Sequence, residues 1–121
     1  MKSWIVLGAS LAALAVALGA FGAHGLKNRV TPADLIIFET GVKYQMYHAL
    51  GLILIGILGF HYNSDIIQTP AVLLSIGILI FSGSLYILVF TGLRWMGAIT
   101  PIGGILLVSG WGMLVFQIIK S

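Results

Sequence analysis

The sequence predicts an all-α integral membrane protein: an up-down four-helix bundle with a short interfacial helix between spans one and two. Three observations predict it. The 121 residues are 60% hydrophobic and only 7% charged, with a mean hydropathy of +1.12, against about 25% charged residues in a soluble domain. Four apolar stretches fill most of the chain, and a membrane-spanning helix needs ~20 apolar residues. All three prolines, Pro32, Pro70 and Pro101, directly follow a threonine, Thr31, Thr69 and Thr100. Proline suits the first helical turn, where its missing N–H had no partner, and threonine suits the cap before it. The pairs therefore read as three helix starts.

The first span covers about 4–23. A basic Lys2 followed by an apolar run and small residues also resembles a signal peptide ending at Ala20 or Ala23. The run outlasts a typical h-region of ~7–15 residues, and Leu18 and Phe21 precede the candidate cuts, so a retained span is the better reading. Gly8, Ala12, Ala15 and Gly19 fall on one helical face, and small residues at that spacing let helices approach closely.

Segment 31–62 is too long for one perpendicular span. About thirty helical residues reach ~45 Å, against a hydrocarbon core of ~30 Å. Asp34, Glu39 and Lys43 lie among Leu35, Ile36, Ile37, Phe38 and Val42. This pattern predicts an interfacial helix over about 32–40, a bend at Gly41, and a second span over about 44–60. A single tilted helix is the alternative. Spans three and four cover about 70–90 and 101–119. Gly103 and Gly110 repeat the small-residue pattern in span four, and packing within the bundle explains both stripes better than a dedicated dimer face.

The loops after spans one and three carry Lys27, Arg29 and Arg94, with Lys43 nearby; the opposite side carries Lys2 and Lys120. The positive-inside rule then predicts both termini outside the cell membrane. This up-down order carries the unusual side chains toward the cytoplasmic leaflet: His24; Glu39, Lys43, Tyr44, Gln45, Tyr47 and His48; Ser82, Ser84 and Tyr86; then Arg94 and Thr100. These twelve form the candidate ligand-binding set. Each also has a plainer role. His24 can cap a helix or meet lipid headgroups, His48 can be a buried neutral imidazole satisfied by Tyr44 or a backbone carbonyl, Glu39 and Lys43 form a favourable i,i+4 pair, serines bond back to their helix or across to a neighbour, and Arg94 beside Trp95 can anchor at the interface or contact a phosphate.

Four motifs carry a resemblance. Gly19-Ala20-Phe21-Gly22-Ala23-His24-Gly25-Leu26, the segment 40–50 (TGVKYQMYHAL), Phe81-Ser82-Gly83-Ser84-Leu85-Tyr86, and Thr100-Pro101-Ile102-Gly103-Gly104 with Gly110-Trp111 resemble, in order, the signatures of the small YgdD/YwdK-type membrane protein family. The resemblance covers nearly the whole chain and implies about four spans. It implies no activity, substrate or catalytic residue.

The absence of cysteine excludes disulfides, thiolate metal sites and cysteine nucleophiles. A dispersed net charge of +3 argues against nucleic-acid binding. His24 and His48 lack the third ligand of a zinc site, and tight helix packing leaves little room for haem, so no metal or cofactor is expected. A proton-coupled exporter needs an intramembrane carboxylate, and span one has none. No activated nucleophile supports an enzyme. Two readings remain: a structural or accessory membrane protein, acting as a homo-oligomer or beside another membrane protein, and a binder or transporter of a lipid or small amphiphile.

Overall fold

The computed structural model describes residues 2–121. Its four long helices are α1 (Lys2–Phe21), α2 (Pro32–Leu58), α3 (Ser64–Thr91) and α4 (Thr100–Lys120). All four are long and apolar enough to span a membrane. A π-turn (Gly22–Leu26) follows α1, and a 3-10 turn (Arg94–Ala98) precedes α4. Each helix packs antiparallel on the next in sequence, so α2 and α3 lie centrally with α1 and α4 as flanks. α1 buries only Gly8 and Ala15, and α4 only Gly103, Leu107 and Gly110. Trp4, Leu11, Leu18 and Leu114 are half-buried against the interior, while Val6, Leu14, Val16, Ile105, Val108, Val115, Phe116 and Ile119 face outward, as a lipid environment favours.

Two expectations about boundaries are corrected. The segment 32–40 is not a separate helix: α2 runs unbroken for 27 residues, which is the single-helix alternative. Gly41 does not interrupt it. A Cβ there would lie 2.8 Å from the Tyr86 ring, so this glycine makes room for an α3 side chain. The second correction concerns Thr69-Pro70. α3 begins at Ser64, leaving Pro70 inside the helix. Burial explains the early start, because Ile67 is fully enclosed in the core and Ile66 packs against it. Asp65 in the first turn also suits the helix dipole.

Thr31 behaves as expected: its hydroxyl accepts from the Asp34 N–H, with Pro32 in the first turn. Thr100 starts α4 but caps nothing. Its side chain instead bonds Met96 O and Ser84. α3 ends at Gly92, whose φ of 74° is left-handed and whose N–H returns to Leu88 O. Glycine adopts that conformation without the Cβ penalty.

Small residues set the helix separations. At Gly8 a Cβ would lie 2.6 Å from Ala49 O on α2, and at Gly103 it would collide with the backbone of Phe81 on α3. Two apolar clusters fill the interior. One holds Leu52, Ile55, Ile67, Ala71, Leu74, Ile78 and Leu107. The other holds Leu26, Phe38, Leu88 and Val89. Between them, along α2 and α3, lies a polar layer.

Candidate functional site

That layer centres on Gln45, which is 2% exposed. Its Nε2 donates to Leu11 O on α1 at 2.8 Å, and its Oε1 accepts from the Tyr86 hydroxyl on α3 at 2.7 Å. One side chain thus joins three helices. Ser82 Oγ donates to Gly41 O at 2.6 Å, bridging α3 to α2. Ser84 and Thr100 share a hydroxyl–hydroxyl bond of 2.6 Å, bridging α3 to α4. Among the described residues no buried side-chain N or O atom lacks a partner. A buried polar group left unpaired costs about 1–3 kcal/mol in a protein, so full pairing is what keeps such a layer inside an apolar bundle.

Arg94 is held from elsewhere. Its Nη1 and Nη2 donate to the two carboxylate oxygens of Asp34 at 2.8 and 2.9 Å. The planar fork matches the carboxylate and ties the α3–α4 connection to the first turn of α2. The Arg94 side chain remains 60% exposed, so the contact fixes geometry more than it adds stability. Asp34 was not in the candidate set. Its spacing after Thr31 reads only as a helix-start carboxylate, and nothing local announces a partner sixty positions away.

The other predicted residues divide. Glu39 and Lys43 are exposed and line a small cleft with Gly19, Ala23 and Val42. The expected ion pair between them is not formed; Asp34–Arg94 is the one side-chain ion pair among the described residues. His24 is exposed in the π-turn, where Gly22 packs against Phe38. Ten helical residues, about 15 Å, separate that level of α2 from His48. Tyr47 points outward at 56% exposure. The structure therefore joins Gln45, Ser82, Ser84, Tyr86 and Thr100 by direct helix-to-helix bonds, and leaves His24, Glu39, Lys43 and Tyr47 outside that network.

Tyr44 and His48 belong to a third feature. With α2 starting at Pro32, these two residues sit near its middle rather than in its first turns. Tyr44 stacks on Phe81 with ring centroids 4.5 Å apart, and lies 6.1 Å from the His48 ring. His48 approaches Trp111 at 5.8 Å. Trp111 packs over Gly51, where a Cβ would lie 2.8 Å from the indole. Tyr44, His48, Phe81, Pro101, Gly104 and Trp111 contribute to the walls of an open-sided groove of about 520 Å³ between α2, α3 and α4. Sequence reasoning missed Phe81 and Trp111 because an aromatic in an apolar span looks like core. His48 Nδ1 lies 2.7 Å from Tyr44 O.

The family described as "Protein of unknown function (DUF423)" matches residues 18–104. The chain belongs to the DUF423 family. Its relatives extend the match to nearly full length. It is 51% identical to UPF0382 membrane protein SSP2132 of Staphylococcus saprophyticus, over 99% of both chains. It is 47% identical to UPF0382 membrane protein SH2409 of Staphylococcus haemolyticus and 46% identical to UPF0382 membrane protein YwdK of Bacillus subtilis, each over 99% of this chain and 98% of the relative. No solved structure matches it significantly. This DUF423 member is a multi-pass membrane protein, in line with its four spanning helices and with the resemblance drawn from its motifs.

Proposed function

We propose that this DUF423 protein is a non-catalytic structural or accessory component of the membrane, whose polar residues hold four helices in one register. The observation that carries this reading is Gln45, which bonds Leu11 O and the Tyr86 hydroxyl and so locks α1, α2 and α3 together. Ser82–Gly41 and Ser84–Thr100 extend the stitching to α4. A polar group buried between apolar clusters specifies alignment, because a shifted register strands it without a partner. The outward apolar faces of α1 and α4 suit lipid or a neighbouring membrane protein.

The test is complementation of a deletion strain, with thermal stability measured on the same variants. Gln45→Leu should lower stability and complementation together, whereas His48→Phe and Tyr44→Phe, if stably folded, should complement fully. A stable His48 or Tyr44 variant that loses the cellular phenotype would overturn the structural reading.

A second reading has its own observation. The groove walled by Tyr44, His48, Phe81 and Trp111 falls within the range of about 300–1,000 Å³ typical of small-molecule sites at about 520 Å³. It supports binding of a lipid or small amphiphile.

A further inference from the structure

Within the groove the polar atoms are few and specific. His48 is 7% exposed. The Tyr44 carbonyl can only accept, so the 2.7 Å contact at Nδ1 places the ring proton on Nδ1. Nε2 is then a bare acceptor. It has no bond to the protein, and no buried side-chain nitrogen lacks a partner, so Nε2 is not fully enclosed, and His48 lines the groove. Ser109 is exposed on the α4 wall of the same groove. Ser10, Thr40 and Ser75 each bond the carbonyl four residues back, but Ser109 makes no such bond.

We propose that the groove binds an amphiphile with a hydroxylated flat ring, a phenol or quinol head, whose O–H donates to His48 Nε2. The proposal rests on the amphiphile-binding reading and adds the chemistry of the head. An acceptor at the wall of an apolar groove rewards a donor and is left unsatisfied by an alkyl chain. Bare phosphate or carboxylate heads have only acceptors to offer Nε2. A hydroxyl can donate to His48, and Ser109 adds a second polar group on the same groove wall. The walls favour a ring: Tyr44, Phe81 and Trp111 present aromatic surfaces, against which a planar group stacks with little loss of conformational freedom. Ile105, Leu107 and Val108 line the rest of the groove and suit an apolar tail.

The experiment uses the full chain in lipid nanodiscs with Trp4→Phe and Trp95→Phe, which leaves Trp111 as the sole tryptophan. Its fluorescence is followed while 4-nonylphenol or its methyl ether, 4-nonylanisole, is added. The expected result is saturable quenching by the phenol, with the ether weaker by about fivefold, the scale of one hydrogen bond. His48→Phe should bring the two ligands to the same affinity. Gly104→Leu, whose Cβ would sit in the groove with only Phe81 ring atoms within 4 Å, should weaken both. Saturable but equal binding of phenol and ether overturns the hydroxyl assignment and leaves groove binding standing. Non-saturable quenching by both, unchanged in Gly104→Leu, overturns the groove reading as well. If His48→Phe fails to fold, the ether comparison on the native histidine decides alone.

Discussion

Gln45 shows how one residue is stabilised where its chemistry is unfavourable. Its amide reaches Leu11 O and Tyr86, while the apolar clusters exclude competing water on either side. Removing the amide in Gln45→Leu leaves the Tyr86 hydroxyl without its partner; removing the hydroxyl in Tyr86→Phe frees only one acceptor. The single variants should therefore differ, with Gln45→Leu the more destabilising. A double-mutant cycle should return a coupling of about 0.6 kcal/mol and at most about 1.7, the range measured for such bonds in membranes. Coupling indistinguishable from zero in reversible unfolding would mean that the bond does not help hold α2 to α3. At this scale the sequence was only partly legible. Gln45, Ser82, Ser84, Tyr86 and Thr100 are conspicuous because polar groups in apolar spans are expensive. Which of them bond to one another depends on helix rotation, and half of their partners are backbone carbonyls, such as Leu11 O and Gly41 O, that no residue type advertises.

The elements were legible where a local cause decides them and illegible where packing does. Thr31-Pro32 starts α2 because the cap and the proline act within one turn. Thr69-Pro70 carries the same local signal, yet α3 begins earlier, since burying Ile67 outweighs it. The expected helix break before Gly41 is absent, and that glycine answers to the Tyr86 ring on another helix. The small-residue stripes read correctly as packing within the bundle, and they make a sharp comparison on a single helix. A Cβ at Gly103 would collide with the Phe81 backbone, whereas Gly112 has nothing within 4 Å. Gly103→Ala must push α4 away from α3 and should cost about 1–3 kcal/mol, as overpacking does. Gly112→Ala should leave the melting temperature unchanged or raise it, since alanine is the better helix former. Circular dichroism melts of both variants in the same detergent check this, and equal effects would show that the α3–α4 contact is not set by Gly103.

For the whole molecule the arrangement of helices invites a question that the bundle interior cannot answer, namely which way it faces. α1 and α4 flank a central α2–α3 pair, and the connections after α1 and α3 emerge on one side with Lys27, Arg29 and Arg94. Asp34 pairs with Arg94 on that side. This pairing does not cancel the bias, because orientation follows lysine and arginine while acidic residues contribute little. Lys2 and Lys120 mark the opposite side, whose loop carries Asp65 nearby and neither lysine nor arginine. The balance predicts both termini outside. The chain has no cysteine, so single reporters can be placed at exposed positions without background. In intact cells a membrane-impermeant maleimide should label Asn63→Cys and Ser121→Cys. It should reach Asn28→Cys and Ala98→Cys only after the membrane is opened. The reverse pattern would invert the topology, and mixed labelling at one position would mean that the small charge difference leaves the protein in both orientations. Replacing Lys27 and Arg29 with glutamine should then shift the chain toward the inverted form, because those two residues and Arg94 are the lysines and arginines of the connections on the side predicted to be cytoplasmic.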